Sequence, residues 1–205
     1  MLRRLLQGYL AAVAGYFAGA IAATLLVRRL RPIPASSELA AIHNLRRVGD
    51  RMWAGGQPDP DGYRDLAALG VDTVVDLRSG TPDDPIEDDE EALARLGMTR
   101  LWFPVPDGHA PNPRVILRVL HDTQDRTAFV HCAAGIGRSG VVQAAAVWWQ
   151  GGDFGVWDAL AIGPVSLEQL WFVARGKIDH VPVIVQMLSR AIDAPRRWVS
   201  LLRRR

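Results

Sequence analysis

Cysteine is nearly missing from this sequence: one occurs among 205 residues. No intrachain disulfide can form, which excludes the disulfide-stapled secreted scaffolds and fits a reducing compartment. The lone thiol, Cys132, needs another explanation. Acidic side chains are absent from residues 1–31, which carry five arginines, and residues 190–205 set six arginines against one acid. The stretch between them, 32–189, holds 13 basic and 21 acidic residues. A negative body between positive ends excludes a nucleic-acid-binding domain, whose basic patch would lie on the folded unit itself. It suits a body flanked by segments for anionic lipid headgroups, although an arginine-rich end also reads as a plain solvated terminus. Internal repeats and long low-complexity tracts are absent too. With 49% hydrophobic and 22% charged residues, the chain has a globular composition and the length of one domain plus an appendage.

One long hydrophobic run is present. Residues 5–27 contain no formal charge and are bracketed by Arg3-Arg4 and Arg28-Arg29. As a helix they reach roughly 35 Å, enough to cross a hydrocarbon core of about 30 Å with some tilt. A cleaved signal peptide is the competing reading, but the run is longer than such a core and arginines close it, so an anchor is expected. Gly15 and Gly19 stand in a G-x-x-x-G spacing that lets two such helices approach closely, which offers a homodimer contact. Three arginines follow the run closely and two precede it; with the reactive thiol, this places the remainder in the cytoplasm. The expected organisation is an anchor at 1–31, a Pro/Ser linker at 32–41, a catalytic domain at 42–180 and a helical basic tail at 181–205.

The body alternates strands and helices. Two strands over 42–56 meet at Gly49-Asp50, and Asp59 caps a helix that Gly70 ends. The β-branched run 71–77 (VDTVVDL) is a buried strand. A helix follows at 86–96, a strand at 99–105, a helix at 112–122 and a buried strand at 127–130. Helices are expected at 138–150, 166–175 and 181–193, the last stopping before Pro195. This alternation predicts an α/β fold with a central, mostly parallel sheet flanked by helices and preceded by one transmembrane helix. Seven acids crowd residues 83–91. They read as acids suited to the dipole at the start of a helix, not as a metal site.

The chemistry is concentrated in residues 129–140, FVHCAAGIGRSG. An apolar strand ends at His131-Cys132, five mostly small residues follow, and Arg138-Ser139 opens a helix. A phosphate monoester is a dianion and needs several donors converging on its oxygens. A tight loop feeding a helix N-terminus supplies them as the backbone N–H groups of Ala133, Ala134, Gly135, Ile136, Gly137 and Arg138. Gly135 and Gly137 permit the close approach and positive φ of such a cradle. The planar fork of Arg138 can bind two oxygens together. The same positive field favours a thiolate at Cys132, the form that attacks.

This H-C-x5-R-S arrangement resembles the signature of the cysteine-based protein tyrosine phosphatase superfamily. Asp107, in FPVPDG after a predicted strand, resembles the acid loop of the dual-specificity branch. Residues 54–58 (AGGQP), 74–78 (VVDLR) and 163–169 (GPVSLEQ) resemble that branch as well. The likeness spans roughly residues 43–180, and the late cysteine after an early acid matches the same branch. It implies that Cys132 attacks phosphorus, Arg138 holds the equatorial oxygens and Asp107 protonates the leaving group and then activates water. Ser139 would help the thiolate leave, and His131 would orient the loop. His109 could share the acid role; Asp76, the rival acid, is read as a strand-end structural residue.

The expected function is phosphate monoester hydrolysis through a phosphocysteine, without metal or cofactor. Phosphoprotein is the expected substrate, with a phospholipid as the alternative. A non-catalytic phosphate-binding module is the competing class.

Overall fold

The computed structural model describes residues 2–30, 42–82, 84–86, 89–163 and 165–202, with side chains as far as Pro195. The expected linker at 32–41 therefore lies wholly outside the described residues, as do Asp83, Glu87 and Asp88 of the acid cluster.

Five strands form one sheet in the order β1-β2-β5-β3-β4: β1 (Arg46–Val48), β2 (Met52–Gly55), β3 (Thr73–Asp76), β4 (Thr99–Trp102) and β5 (Ala128–His131). Only the hairpin partner β1 runs antiparallel; β2, β5, β3 and β4 are mutually parallel. Side chains alternate across the sheet, as the period of a strand requires. Met52, Ala54, Val75 and Val130 enter one core, while Val74 and Phe129 enter a second core on the opposite face. The mostly parallel sheet with helices on both faces is the architecture expected from the sequence.

The helices of the body are α2 (Pro60–Ala68), α3 (Glu90–Arg95), α4 (Pro113–Thr123), α5 (Gly137–Trp149), α6 (Val156–Ile162), α7 (Leu167–Arg175) and α8 (Val183–Leu202). Several starts are legible as caps. Asp59 accepts from Gly62 N–H at 2.7 Å with Pro60 in the first turn, and Asn112 accepts from Arg114 N–H at 2.9 Å ahead of Pro113. Ser166 and Gln169 close a capping box on α7. Helix α6 has no counterpart among the expected elements; seven residues between glycines are too few to display a helical period.

Helix α8 differs from expectation by running through Pro195 instead of stopping before it. A proline inside a helix strips the hydrogen bond from the carbonyl four residues earlier, here that of Ala191. The hydroxyl of Tyr9 donates to this carbonyl and replaces the lost bond. Tyr9 belongs to α1 (Leu2–Leu30), which is apolar and long enough to cross a membrane. Along one face α1 lies against the body. Val27 and Ala23 pack on Leu160 and Ala161 of α6, Tyr16 donates to Val165 O at 3.2 Å, and Arg28 donates to the α6 end carbonyls of Ala161, at 2.8 Å, and Ile162. Its other face exposes Leu5, Leu6, Leu10, Leu25 and Leu26. Gly8, Gly15 and Gly19 meet open space.

Candidate active site

Because four strands are parallel, their C-terminal ends share one edge of the sheet, the edge where ligands of open α/β sheets bind. Gly56-Gln57 follows β2, Arg78 to Asp84 follows β3, Asp107 comes after β4, and Cys132 directly follows β5. The topology thus gathers into one place the groups that the sequence scatters over about eighty positions.

The loop from Cys132 to Arg138 is held open from outside. The carbonyl of Ala133 accepts from Gln57 N–H at 3.1 Å, that of Ala134 from Asn44 Nδ2 at 2.9 Å, and that of Gly135 from Arg46 Nη1 at 2.7 Å. No peptide here is cis. In a trans peptide the N–H opposes the C=O, so the N–H groups of Ala134, Gly135 and Ile136 turn towards the inside of the loop. Gly135 sits at φ +72°, and any side chain there would collide with the Gly55–Gly56 peptide. Gly137 opens α5 and lies flat against the Gln169 side chain. Gly135 answers to dihedral freedom as well as space, whereas Gly137, also expected to take a positive φ, does not take one and is required by space alone.

Cys132 is buried at the mouth of this loop, its Sγ 3.5 Å from Ser139 Oγ. Arg138 reaches the same cavity from the first turn of α5. Its guanidinium donates to Val105 O at 2.9 Å, to Leu77 O at 3.3 Å and to both oxygens of Asp84. Burial works against the Arg138 charge, but Asp84 and the Cys132 sulfur outweigh it and hold the guanidinium protonated. Asp84 itself is buried; burial raises its pKa, and the bonds from Arg138 and Ser79 more than reverse this and keep it ionised below its usual range. Asp84 was not among the site residues expected from the sequence. It lay within the crowded acids at 83–91, and nothing local separates it from its neighbours.

Asp107 stands opposite. Its side chain is 52% exposed, and its Oδ1 lies 3.6 Å from Arg138 Nη2. The loop that carries it is clamped on the far side by α7. Ser166 donates to Gly108 O at 2.6 Å, Gln169 to His109 O at 3.0 Å, and Glu168 accepts from Ala110 N–H at 3.1 Å. His109 is turned away, into an ion-pair contact of 3.0 Å with Glu168. Asp76 is fully buried, paired with Arg78 at 2.9 Å and Arg100 at 2.8 Å. His131 is buried beneath the loop, stacked on Phe129 and 3.8 Å from Asp76. Burial pushes its pKa down to about 4, the carboxylate of Asp76 pulling the other way, so the ring is neutral at pH 7.

The cavity, about 440 Å³, is floored by the Cys132–Arg138 loop and rimmed by Asp107. Part of its wall is apolar: Ile136 and Val165 from the body, Phe17 and Ile21 from α1. A buried thiol, a ring of inward amides, a guanidinium held by Asp84 and a half-exposed carboxyl around one cavity are an arrangement that can bind a phosphoryl group and transfer it to sulfur.

These features define a cysteine-based phosphatase of the dual-specificity and tyrosine phosphatase type. The chain belongs to the family described as DSP-PTPase phosphatase fused to NAD+ kinase, whose model matches residues 34–151, more than half its length. No curated protein matches it. Solved structures share the fold. A DUF442 protein from Shewanella putrefaciens CN-32 is 18% identical and superposes with a TM-score of 0.56, covering 80% of this chain and 97% of that one. TpbA from P. aeruginosa, 22% identical, covers 80% and 98% with a TM-score of 0.54, and its cysteine-to-serine form has been solved with phosphotyrosine. The catalytic core of the PP-IP phosphatase SIW14 from S. cerevisiae, 12% identical, covers 74% and 96% with a TM-score of 0.56.

Proposed function

We propose that this protein is a membrane-anchored phosphatase that removes phosphate from tyrosine, serine or threonine of phosphoproteins through a phosphocysteine on Cys132. The observation that carries the reading is the thiol of Cys132 at the mouth of a loop whose carbonyls are tied outward, with Arg138 and Asp107 in the same cavity. In the first step Cys132 Sγ bonds to phosphorus as the bond to the leaving oxygen breaks. Asp107, as the carboxylic acid, gives that oxygen its proton. Inward amides and Arg138 hold the three equatorial oxygens. In the second step Asp107, now a carboxylate, takes a proton from water, and the resulting oxygen displaces sulfur from phosphorus. Ser139, 3.5 Å away, donates a hydrogen bond to the departing thiolate and inorganic phosphate is released. The phosphotyrosine complex of TpbA, a protein of the same fold, supports an aryl phosphate as substrate.

A second reading has its own observation. Phe17 and Ile21 of the apolar helix α1 border the phosphate cavity, and such a wall suits the apolar part of a phospholipid monoester. A homodimer through Gly15 and Gly19 and a cytoplasmic catalytic domain complete the proposal.

The test is hydrolysis of an aryl phosphate by the full chain in detergent, followed by phosphopeptides and phospholipids in vesicles. Cys132→Ser abolishes turnover while keeping vanadate binding. Asp107→Asn slows turnover about 10²-fold and removes the limb of the pH profile that depends on the acid. Turnover surviving in Cys132→Ser rejects the reading.

A further inference from the structure

Arg46 sits behind the phosphate loop, on the edge strand β1, and only 5% of its surface is exposed. Nη1 donates to Asn44 O at 2.8 Å and Gly135 O at 2.7 Å, and Nε donates to Gln143 Oε1. Nη2 is buried and without a partner. Among the described residues no carboxylate lies within ion-pair distance of Arg46, in contrast to Arg138 with Asp84. A buried guanidinium surrounded by neutral oxygens is an expensive arrangement unless an anion faces it. The charged and titratable groups around Cys132 are Arg138 from α5 with Asp84 and Asp107 beyond it, buried Asp193 of α8 on the cavity wall, neutral His131 on β5, and Arg46 from β1. Burial draws the pKa of Arg46 down to about 10, and the sulfur of Cys132 is the group that pulls it back up. The anion that Arg46 lacks is one that the site itself would hold, the phosphoryl group during turnover.

We propose that Arg46 is a positioning residue of the phosphate loop, gripping the Gly135 carbonyl from behind and setting an otherwise unpaired positive charge against the loop that follows Cys132. The grip fixes the Gly135–Ile136 peptide, whose N–H thereby aims into the cradle. The charge favours the attacking form of sulfur without touching substrate. This rests on Cys132 being the nucleophile.

The full chain in detergent micelles tests it, because Cys132 is the single cysteine and alkylation by iodoacetamide reports on it alone. Arg46→Gln removes the charge. The pH midpoint of alkylation is expected to rise by about one unit, and kcat on an aryl phosphate to fall roughly tenfold or more. Arg46→Lys keeps the charge but replaces the fork by a single ammonium. Its midpoint stays within about 0.3 unit of wild type, while kcat falls about tenfold and vanadate Kd rises about tenfold, since the loop carbonyl is no longer gripped. A folded Gln variant with the wild-type midpoint overturns the proposal whatever its turnover. If the Gln variant does not fold, a Lys variant with wild-type kcat and vanadate affinity overturns it. Absence of aryl phosphate turnover in the wild type would reject the phosphatase reading instead, and the alkylation midpoints would still decide the role of Arg46.

Discussion

Asp84 answers a need that Arg138 creates by being buried. A guanidinium inside the protein requires a carboxylate in good geometry, and the two oxygens of Asp84 meet it side on. With those donors engaged, the rest of the fork is fixed in direction before substrate arrives. Asp84→Asn keeps much of the shape but loses the charge; kcat/KM on an aryl phosphate should fall about tenfold, which corresponds to roughly 1.4 kcal/mol. Glu90→Gln, on an exposed position of the same acid-rich stretch, should leave kinetics unchanged. Equal effects of the two substitutions would show that Asp84 acts only through the general charge of the segment. Cys132, Arg138 and Asp107 were legible because their chemistry imposes a short, ordered motif or a loop dipeptide. Asp84 and Arg46 were not, because their partners lie 54 and 89 positions away, at Arg138 and Gly135.

Helix α1 carries two kinds of information at the scale of an element. It is long and apolar enough to cross a membrane, and its inward face is matched to carbonyls of the body: Ala191 for Tyr9, Val165 for Tyr16, and the end of α6 for Arg28. While it is docked along this length it lies beside the body, so spanning a bilayer requires it to swing off α6. In either disposition Leu25 and Leu26 face outward. The full chain should stay in the membrane pellet through a high-salt wash, because apolar burial and not surface charge holds it. Leu25→Asp combined with Leu26→Asp should shift most of it to the supernatant while aryl phosphate turnover persists. Release of the wild type by salt alone would remove the anchor from the account. The length and apolar character of this helix were readable, but which face docks was not, since leucine and alanine occur all round it.

At the scale of the whole molecule, the sheet edge that builds the site also buries titratable groups that acid will disturb. The pKa of His131 is about 4 in the fold against 6.5 for a free side chain, because burial disfavours the charged ring while Asp76 only partly restores it. The unfolded chain therefore takes up this proton first. The contribution is full above pH 6.5 and is lost as pH falls towards 4, amounting to about 3 kcal/mol. Asp76 and Asp84 have depressed values as well, burial being outweighed by their arginine bonds, so their stabilisation fades at still lower pH. Denaturant melts between pH 7 and 4 should show a steady loss of stability that His131→Gln flattens. A flat profile in the wild type would mean that His131 is not buried as a neutral ring.

The sequence by itself determined the alternation of strands and helices, the cap at Asp59, and the residues proposed as nucleophile, arginine and loop acid. Each of these is decided by neighbours within a few positions, through backbone dihedrals, side-chain period or a helix N-terminus. Only the tertiary structure decided that Asp84 pairs with Arg138, that Arg46 donates to the Gly135 carbonyl, and that α8 runs through Pro195 with Tyr9 bonded to Ala191 O. Those outcomes follow from how parallel strands bring their ends together and how helices dock. Partners chosen across such distances leave no local pattern in the chain.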